Sequence, residues 1–177
     1  MMYKEIKPFE YASEVIRKLS GGIFLTTEAE EKTNTMTIGW GGINIIWGRP
    51  VFIVLVRDSR ATYRLIEKSG EFTVSVPINK DMSEELAFCG TRSMRDCDKF
   101  EETGMTRLAG RRIKTPVIKE AGLHYECKVI YKQTLDEKSI PENVKNRYYD
   151  LNTKKGNTIH TVYYGEIIDQ YIYKEGE

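Results

Sequence analysis

The sequence has little cysteine, little histidine and no excess of charge of either sign. Its three cysteines are an odd number without Cys-x-x-Cys spacing, which argues against a disulfide framework and against a zinc site built on cysteine. Lys and Arg number 27 and Asp and Glu 26, a net charge of +1. Bulk charge therefore gives no reason to expect a nucleic-acid partner.

Long apolar runs are also missing. No stretch approaches the roughly 18 apolar residues of a membrane span, and the first residues lack the apolar core of a signal peptide. We therefore expect no membrane association and a cytoplasmic location. Hydrophobic residues make up 40% and charged residues 30% of the 177, proportions that favour one globular domain over residues 1–177.

Much of the chain has the two-residue alternation that is typical of β-strands. Strands are predicted at 23–27, 51–56, 72–76, 123–131 and in two runs within 160–173, and short helices at 8–18, 61–69, 81–89 and 96–103. Strands and helices do not alternate as βαβ units. The pattern predicts a mainly β fold, a mostly antiparallel barrel with peripheral helices.

Two of these strands carry further expectations about burial. The six consecutive apolar residues at 51–56 predict a strand that is covered on both faces. In the strand at 123–131, apolar residues alternate with polar ones that include His124 and Glu126. This alternation predicts one buried face, with the two polar side chains on the exposed face.

The stretch at 34–42, Asn-Thr-Met-Thr-Ile-Gly-Trp-Gly-Gly, begins as a strand and runs into glycines. Glycine in a strand marks a β-bulge or barrel corner, or a place where a ligand approaches the backbone closely. On these nine residues alone, the bulge or corner is the favoured interpretation. A flat polar ring lying along the backbone is the alternative.

A cluster of basic and hydroxyl side chains follows the strand at 51–56: Arg57, Ser59, Arg60 and Thr62. A helix begins there, and the free N–H groups of its first turn favour an anion. Arginine presents paired donors that match phosphate oxygens. The alternative is that Ser59 is an ordinary N-cap beside solvated arginines.

The loop at 89–100 is also rich in hydroxyl and charged groups. Ser93 and Asp96 are suited to cap the helix that follows. Lys99 is predicted to lie one turn inside that helix, where the helix dipole disfavours a cation. This placement is a weak indication of an external anion.

No side-chain set typical of catalysis is present. The sequence has no Ser-His-Asp order, no metal cluster and no Gly-rich loop of Rossmann or P-loop form. His160 is one of only two histidines. The default interpretation is a structural role, although an imidazole at a pocket wall can donate to an amide or phosphate. If the protein is an enzyme, a bound cofactor carries the chemistry.

Four motifs in order resemble the flavin reductase-like proteins, close to the flavoredoxin branch. They are Asn34-x-Met-Thr-x-Gly-Trp-Gly-Gly42, Arg57-x-Ser-Arg-x-Thr-Tyr63, Ser93-x-Arg-Asp-x-Asp-Lys-Phe100 and His160-Thr-x-x-x-Gly-Glu-Ile167. The resemblance covers nearly the whole chain and implies an FMN-binding split β-barrel, usually a homodimer. The chain departs from the family pattern at Met94, where glycine is common, and in a longer polar insertion at 134–157.

The resemblance also implies which residues bind the cofactor. The flavin ring would meet the backbone of Thr37, Ile38, Gly39 and Trp40. The phosphate would be held by Arg57, Ser59, Arg60 and Thr62, with help from Gly90, Ser93 and Lys99. His160 would lie on the substrate side of the flavin. No catalytic side chain and no metal are expected, because hydride passes directly to and from the flavin.

These implications give a first hypothesis: an FMN-dependent oxidoreductase that takes electrons from NADH or NADPH and passes them to a second acceptor. Within the same fold, the alternative is a flavoredoxin-like carrier that is reduced by a redox protein partner. From a different class, a non-catalytic small-ligand-binding module stays open, since fold does not determine function.

Overall fold

The computed structural model describes residues 2–149 and 158–174. The strands within these residues are β1 (Met2–Glu5), β2 (Ile23–Ala29), β3 (Lys32–Ile38), β4 (Gly41–Ile46), β5 (Arg49–Arg57), β6 (Glu71–Pro77), β7 (Arg107–Leu108), β8 (Val117–Ile118), β9 (Gly122–Thr134) and β10 (His160–Lys174). The α-helices are α1 (Ala12–Leu19), α2 (Ala61–Ser69), α3 (Ser83–Thr91), α4 (Lys99–Thr103) and α5 (Glu142–Tyr148). None of these helices is long and apolar enough to cross a membrane.

Eight of the strands form one antiparallel sheet. The strand order is β3-β2-β6-β9-β10-β5-β4, and β1 pairs with the end of β10. β3 and β4 lie at opposite ends of this order, yet only Gly39 and Trp40 separate them in the chain. The sheet must therefore curve until its two end strands meet at this corner. The predicted antiparallel barrel with peripheral helices is confirmed.

The corner between β3 and β4 depends on Gly41. Its φ of +134° lies where side chains are rarely tolerated, and a Cβ atom there would collide with the carbonyl oxygen of Ile53 on the neighbouring strand β5. Gly39 is different, because a Cβ atom there would come no nearer than 3.5 Å to the Leu19 carbonyl oxygen. The barrel-corner interpretation therefore applies to Gly41, while Gly39 leaves the backbone accessible.

The buried core lies inside the barrel, and β5 contributes to it with one face. Val51, Phe52, Val54 and Val56 are fully buried, whereas Ile53 and Leu55 are only partly buried. The sequence-based expectation of a strand covered on both faces is therefore wrong for this chain by itself. An unbroken apolar run does not show what lies on each face, and here the outer face of β5 stays partly open.

The polar face of β9 is covered, contrary to the expectation for His124 and Glu126. Both side chains are fully buried, because the loop before β9 lies over them. The Glu126 carboxylate accepts hydrogen bonds from the backbone N–H groups of Arg111, Arg112 and Ile113, at 2.6–3.1 Å. The alternation correctly predicted the strand, but the loop that covers its outer face has no such pattern.

α4 begins later than the sequence suggested. Asp98 is its N-cap, and its carboxylate accepts from the N–H groups of Phe100 and Glu101. Lys99 is consequently the first residue of the helix rather than one turn inside it, and Asp96 lies in the preceding loop. The side chain with the better geometry for the free N–H groups determines the beginning of the helix.

Candidate functional site

An open cavity lies at the corner between β3 and β4. We call it the corner cavity. Its volume is about 500 Å³, part of it open to solvent, and it is lined by Met36, Thr37, Ile38, Gly39, Trp40, Leu55, Arg57, Arg60 and His160. The first motif, the first arginine of the second motif and the histidine of the fourth motif therefore meet at one place.

A second cavity adjoins the first, since Met36 and Arg60 line both. We call it the loop cavity, because the loop between α3 and α4 forms one wall. Its volume is about 460 Å³, and its other lining residues are Asn34, Ser59, Ala61, Thr62, Cys89, Gly90, Thr91, Arg92, Ser93, Met94, Arg95 and Lys99. Every site residue selected from the sequence lines one of the two cavities.

The edge of β3 provides backbone donors at these cavities. β3 pairs with β2 on one side, so alternate residues leave their N–H and C=O groups unpaired on the other side. The Thr35 carbonyl is one of these groups, since it accepts from Lys99 Nζ at 2.8 Å. With the two-residue period of a strand, the N–H group of Thr37 also points away from β2. Thr37, rather than Ile38, therefore offers its N–H group at this edge.

The loop cavity is electropositive. Among residues 2–149 and 158–174, no carboxylate forms an ion pair with Arg60, Arg95 or Lys99. Lys99 is 4% exposed, and its ammonium donates to the carbonyls of Thr35 and Cys89 at 2.8 Å each. Burial lowers the pKa of Lys99. A buried cation without a counter-charge is costly unless an anion compensates it.

Hydroxyl donors complete this lining. Thr62 is 1% exposed, and its Oγ1 accepts from the Asn34 amide at 2.7 Å, so its own proton is available for an acceptor in the cavity. The buried Asn34 Oδ1 has no hydrogen-bond partner in the part of the chain that the structure describes. Ser93 stays at the cavity wall, where its Oγ accepts from the Arg95 N–H at 3.2 Å, despite the neighbouring Met94.

Arg57 is placed differently from the other predicted phosphate residues. It lines the corner cavity rather than the loop cavity, and its terminal nitrogens donate to the carbonyls of Tyr148 and Thr158 at 2.9 and 3.0 Å. Its guanidinium also lies 5.0 Å above the Tyr149 ring. Burial lowers its pKa. Arg57 therefore fixes the end of α5 beside the corner cavity.

His160 and Trp40 form an aromatic wall of the corner cavity. Their ring centroids are 5.0 Å apart, and Trp40 also makes an edge-to-face contact with Tyr148. His160 Nδ1 lies 2.9 Å from the Tyr149 hydroxyl. Burial, and then the charges of Arg57 and Arg60, lower the pKa of His160 to about 4. The imidazole is therefore neutral at neutral pH.

Three residues of the site were missed by sequence reasoning: Asn34, Arg95 and Tyr149. Asn34 opens the first motif and Arg95 lies inside the third, so their positions gave a signal that the prediction did not use. Tyr149 lies in the polar insertion, where no pattern distinguishes it. In the described ranges 2–149 and 158–174, no group of His, Cys, Asp and Glu is suited to hold a metal ion.

Comparison with known proteins assigns the family. The model of the "flavin reductase like domain" matches residues 16–177. The chain belongs to the flavin reductase-like family. This agrees with the family that the four sequence motifs indicated, and with the FMN-binding split-barrel fold that they implied.

Individual relatives are distant. An uncharacterized protein of Archaeoglobus fulgidus is 31% identical over 107 residues, which are 60% of this chain and 59% of that protein. The structure of a flavoredoxin from Methanosarcina acetivorans is similar with a TM-score of 0.64 and 26% identity, over 87% of this chain and 68% of the other. Nitrilotriacetate monooxygenase component B from Bacillus cereus has a TM-score of 0.64 at 18% identity, over 98% and 82%, which is a similarity of fold.

The residues present fit FMN. A flavin mononucleotide needs a cradle for its phosphate, polar backbone groups for one edge of its ring and apolar cover for the rest. The loop cavity supplies the hydroxyl of Thr62 and cations that no carboxylate of the described residues pairs with, and the corner cavity supplies the edge of β3 beside Trp40.

Proposed function

We propose that this flavin reductase-like protein binds FMN across the two cavities and acts as an oxidoreductase, passing electrons from NADH or NADPH to a second acceptor. The observation that carries the proposal is the junction of the loop cavity, whose cations form no ion pair with a described carboxylate, and the corner cavity, with the edge of β3. The two cavities adjoin, since Met36 and Arg60 line both.

The lining residues divide between the two ends of such a ligand. Those that would hold the phosphate are Ser59, Arg60, Thr62, Gly90, Ser93 and Lys99, with Arg95 in addition. Those that would meet the ring are Thr37, Ile38, Gly39 and Trp40. Bound flavin would supply hydride and electron transfer. The protein itself would bind and orient the ring, stabilise charge at its polar edge with backbone donors, and exclude water with aromatic side chains.

An absorbance experiment tests this proposal. The purified protein, after incubation with FMN and removal of free ligand, is expected to keep a flavin spectrum. Anaerobic addition of NADH or NADPH is expected to bleach that spectrum. Protein that takes up no FMN would overturn the proposal, and it would favour a binding module for a different small ligand.

A second candidate is a flavoredoxin-like electron carrier, favoured by the structural similarity to the Methanosarcina flavoredoxin. Such a carrier would bind FMN but would receive its electrons from a redox protein partner. The same spectra distinguish the two. Flavin that is retained but not bleached by either nicotinamide, and that a reduced ferredoxin bleaches, would indicate the carrier.

We also propose that the protein is a homodimer that pairs through the outer face of β5. Ile53, Tyr164 and Tyr131 lie directly opposite one another across β5, β10 and β9. Trp47, 70% exposed, has its ring 6.1 Å from that of Tyr131. Leu55 continues this apolar row into the corner cavity, so a second copy on this face would border the site.

Substitution of Trp47 tests the dimer. Trp47→Asp is expected to change the mass measured by light scattering from that of a dimer to that of a monomer, because it places a charge in the apolar row. Phe9→Asp, at an exposed aromatic in the segment between β1 and α1 rather than in this apolar row, is the matched control and should stay dimeric. A wild-type protein that is monomeric at every concentration would refute the proposal.

A further inference from the structure

The end of α5 is held against the corner cavity by several contacts. Arg57 donates to the carbonyl oxygens of Tyr148, inside the insertion, and of Thr158, directly after it. The same guanidinium lies over the Tyr149 ring at 5.0 Å, where a cation is attracted by the ring face. Tyr149 is 6% exposed. Its side chain is therefore buried beside Arg57 and His160.

The hydroxyl of Tyr149 forms a hydrogen bond with His160, and the surroundings of the hydroxyl indicate which group donates. Its Oη lies 2.9 Å from His160 Nδ1, and either group could donate. If Nδ1 donated, the hydroxyl proton would need another acceptor, and none is found within residues 2–149 and 158–174. Burial raises the pKa of Tyr149, so the phenol keeps its proton. The hydroxyl is therefore the donor and Nδ1 the acceptor.

The other nitrogen of His160 then carries the ring proton. In a neutral imidazole one nitrogen donates and the other accepts, so an accepting Nδ1 leaves an Nε2–H group. This group has no hydrogen-bond partner among the described residues, and the ring lines the corner cavity beside Trp40. Burial, and then the cations Arg57 and Arg60, lower the pKa of His160 and so disfavour a second ring proton.

We propose that Tyr149 is a positioning residue that holds His160 as the Nε2–H tautomer, so that the imidazole donates to a carbonyl-type oxygen of a substrate in the corner cavity. The tautomer follows from the contacts of Tyr149 alone. The identity of the acceptor rests on the proposed function, since a substrate must stack beside the flavin ring to reach His160. Substrates with a carboxamide, aldehyde or ketone oxygen suit this donor.

Nitrogen NMR of the protein without flavin tests the tautomer. The chain has two histidines, so long-range ¹H–¹⁵N correlation spectra contain two ring patterns, and a His160→Gln variant assigns them. The wild-type His160 pattern is expected to show a protonated Nε2 and an unprotonated Nδ1. Tyr149→Phe is expected to move both nitrogens towards the averaged values of a tautomer mixture.

The neighbouring tyrosine supplies the matched control. Tyr148→Phe removes a hydroxyl from the same helix end while keeping the edge-to-face contact with Trp40, and it should leave the His160 pattern unchanged. The fully buried His124 is an internal reference for correct folding. A wild-type His160 protonated at Nδ1 would overturn the proposal, and so would a Tyr149→Phe protein with an unchanged pattern.

The acceptor is tested separately with nicotinamide, whose carboxamide oxygen represents the substrate class. Titration into FMN-loaded protein is expected to shift the Nε2 resonance of His160. Absence of a shift, in protein whose absorbance shows bound flavin, would refute donation to such an oxygen. Absence of flavin binding itself would instead refute the proposed function and leave the tautomer result intact.

Discussion

Arg60→Ala is expected to weaken FMN binding by roughly 10- to 100-fold while changing riboflavin binding by no more than about twofold. Arg60 lines both cavities and pairs with no carboxylate among the described residues. A hydrogen bond to a charged group contributes about 1.5–3 kcal/mol, and about 1.4 kcal/mol corresponds to a tenfold change in affinity. Riboflavin lacks the phosphate, so the ratio of the two dissociation constants isolates the anion site.

Calorimetric or fluorescence titration of both ligands measures this ratio. Arg64→Ala is the matched control, because Arg64 lies on the exposed face of α2 one turn further on and lines neither cavity. An equal loss of affinity for FMN and riboflavin in Arg60→Ala would contradict the phosphate role. Arg57→Ala can be measured in the same assay. If it weakened the binding of FMN but not of riboflavin, the result would support the phosphate contact that the motif implied for Arg57.

The barrel could be predicted because it rests on local patterns. Alternation in β6 and β9, and the glycines at the β3–β4 corner, are properties of short segments that alternate or bend in a defined way. The four motifs also selected residues that the structure brings together. Each of them lies at the end of a strand or in a loop next to the same corner, so one barrel brings all four to one place.

What could not be predicted depends on contacts between distant segments. Arg57 donates to carbonyls at positions 148 and 158, and nothing in its own motif indicates those partners. Likewise, the apolar run of β5 does not show that Ile53 faces outward, on a surface that is partly exposed to solvent in the single chain. The role of Tyr149 depends on the same arginine, which holds the carbonyl of the preceding residue, Tyr148.

Glu126 is the clearest case of a residue whose importance depends on tertiary contacts. Its side chain is fully buried in β9. One carboxylate oxygen accepts from Arg111 N–H and from the Tyr171 hydroxyl, and the other accepts from the N–H groups of Arg112 and Ile113. Four donors, those of Ile113 and Tyr171 in buried bonds and those of Arg111 and Arg112 in part-buried ones, are therefore satisfied by one side chain, which joins the covering loop to the sheet.

Glu126→Ala is expected to lower the free energy of unfolding by at least about 3 kcal/mol, because each buried donor left without an acceptor costs about 1–3 kcal/mol. For a chain of this size, about 1 kcal/mol corresponds to roughly 2–4 °C in Tm, so Tm should fall by at least about 6 °C. Circular dichroism during thermal and urea denaturation measures both quantities.

The control is Glu120, a carboxylate that also accepts from a backbone N–H group but is more exposed to solvent. Glu120 accepts from the Thr106 N–H through both oxygens, at 3.2 and 3.1 Å, and is partly exposed. Water can replace it, so Glu120→Ala should cost no more than about 1 kcal/mol. If Glu126→Ala cost no more than this control, the covering loop would be held by its apolar contacts. The buried carboxylate would then follow the position of the loop rather than determine it.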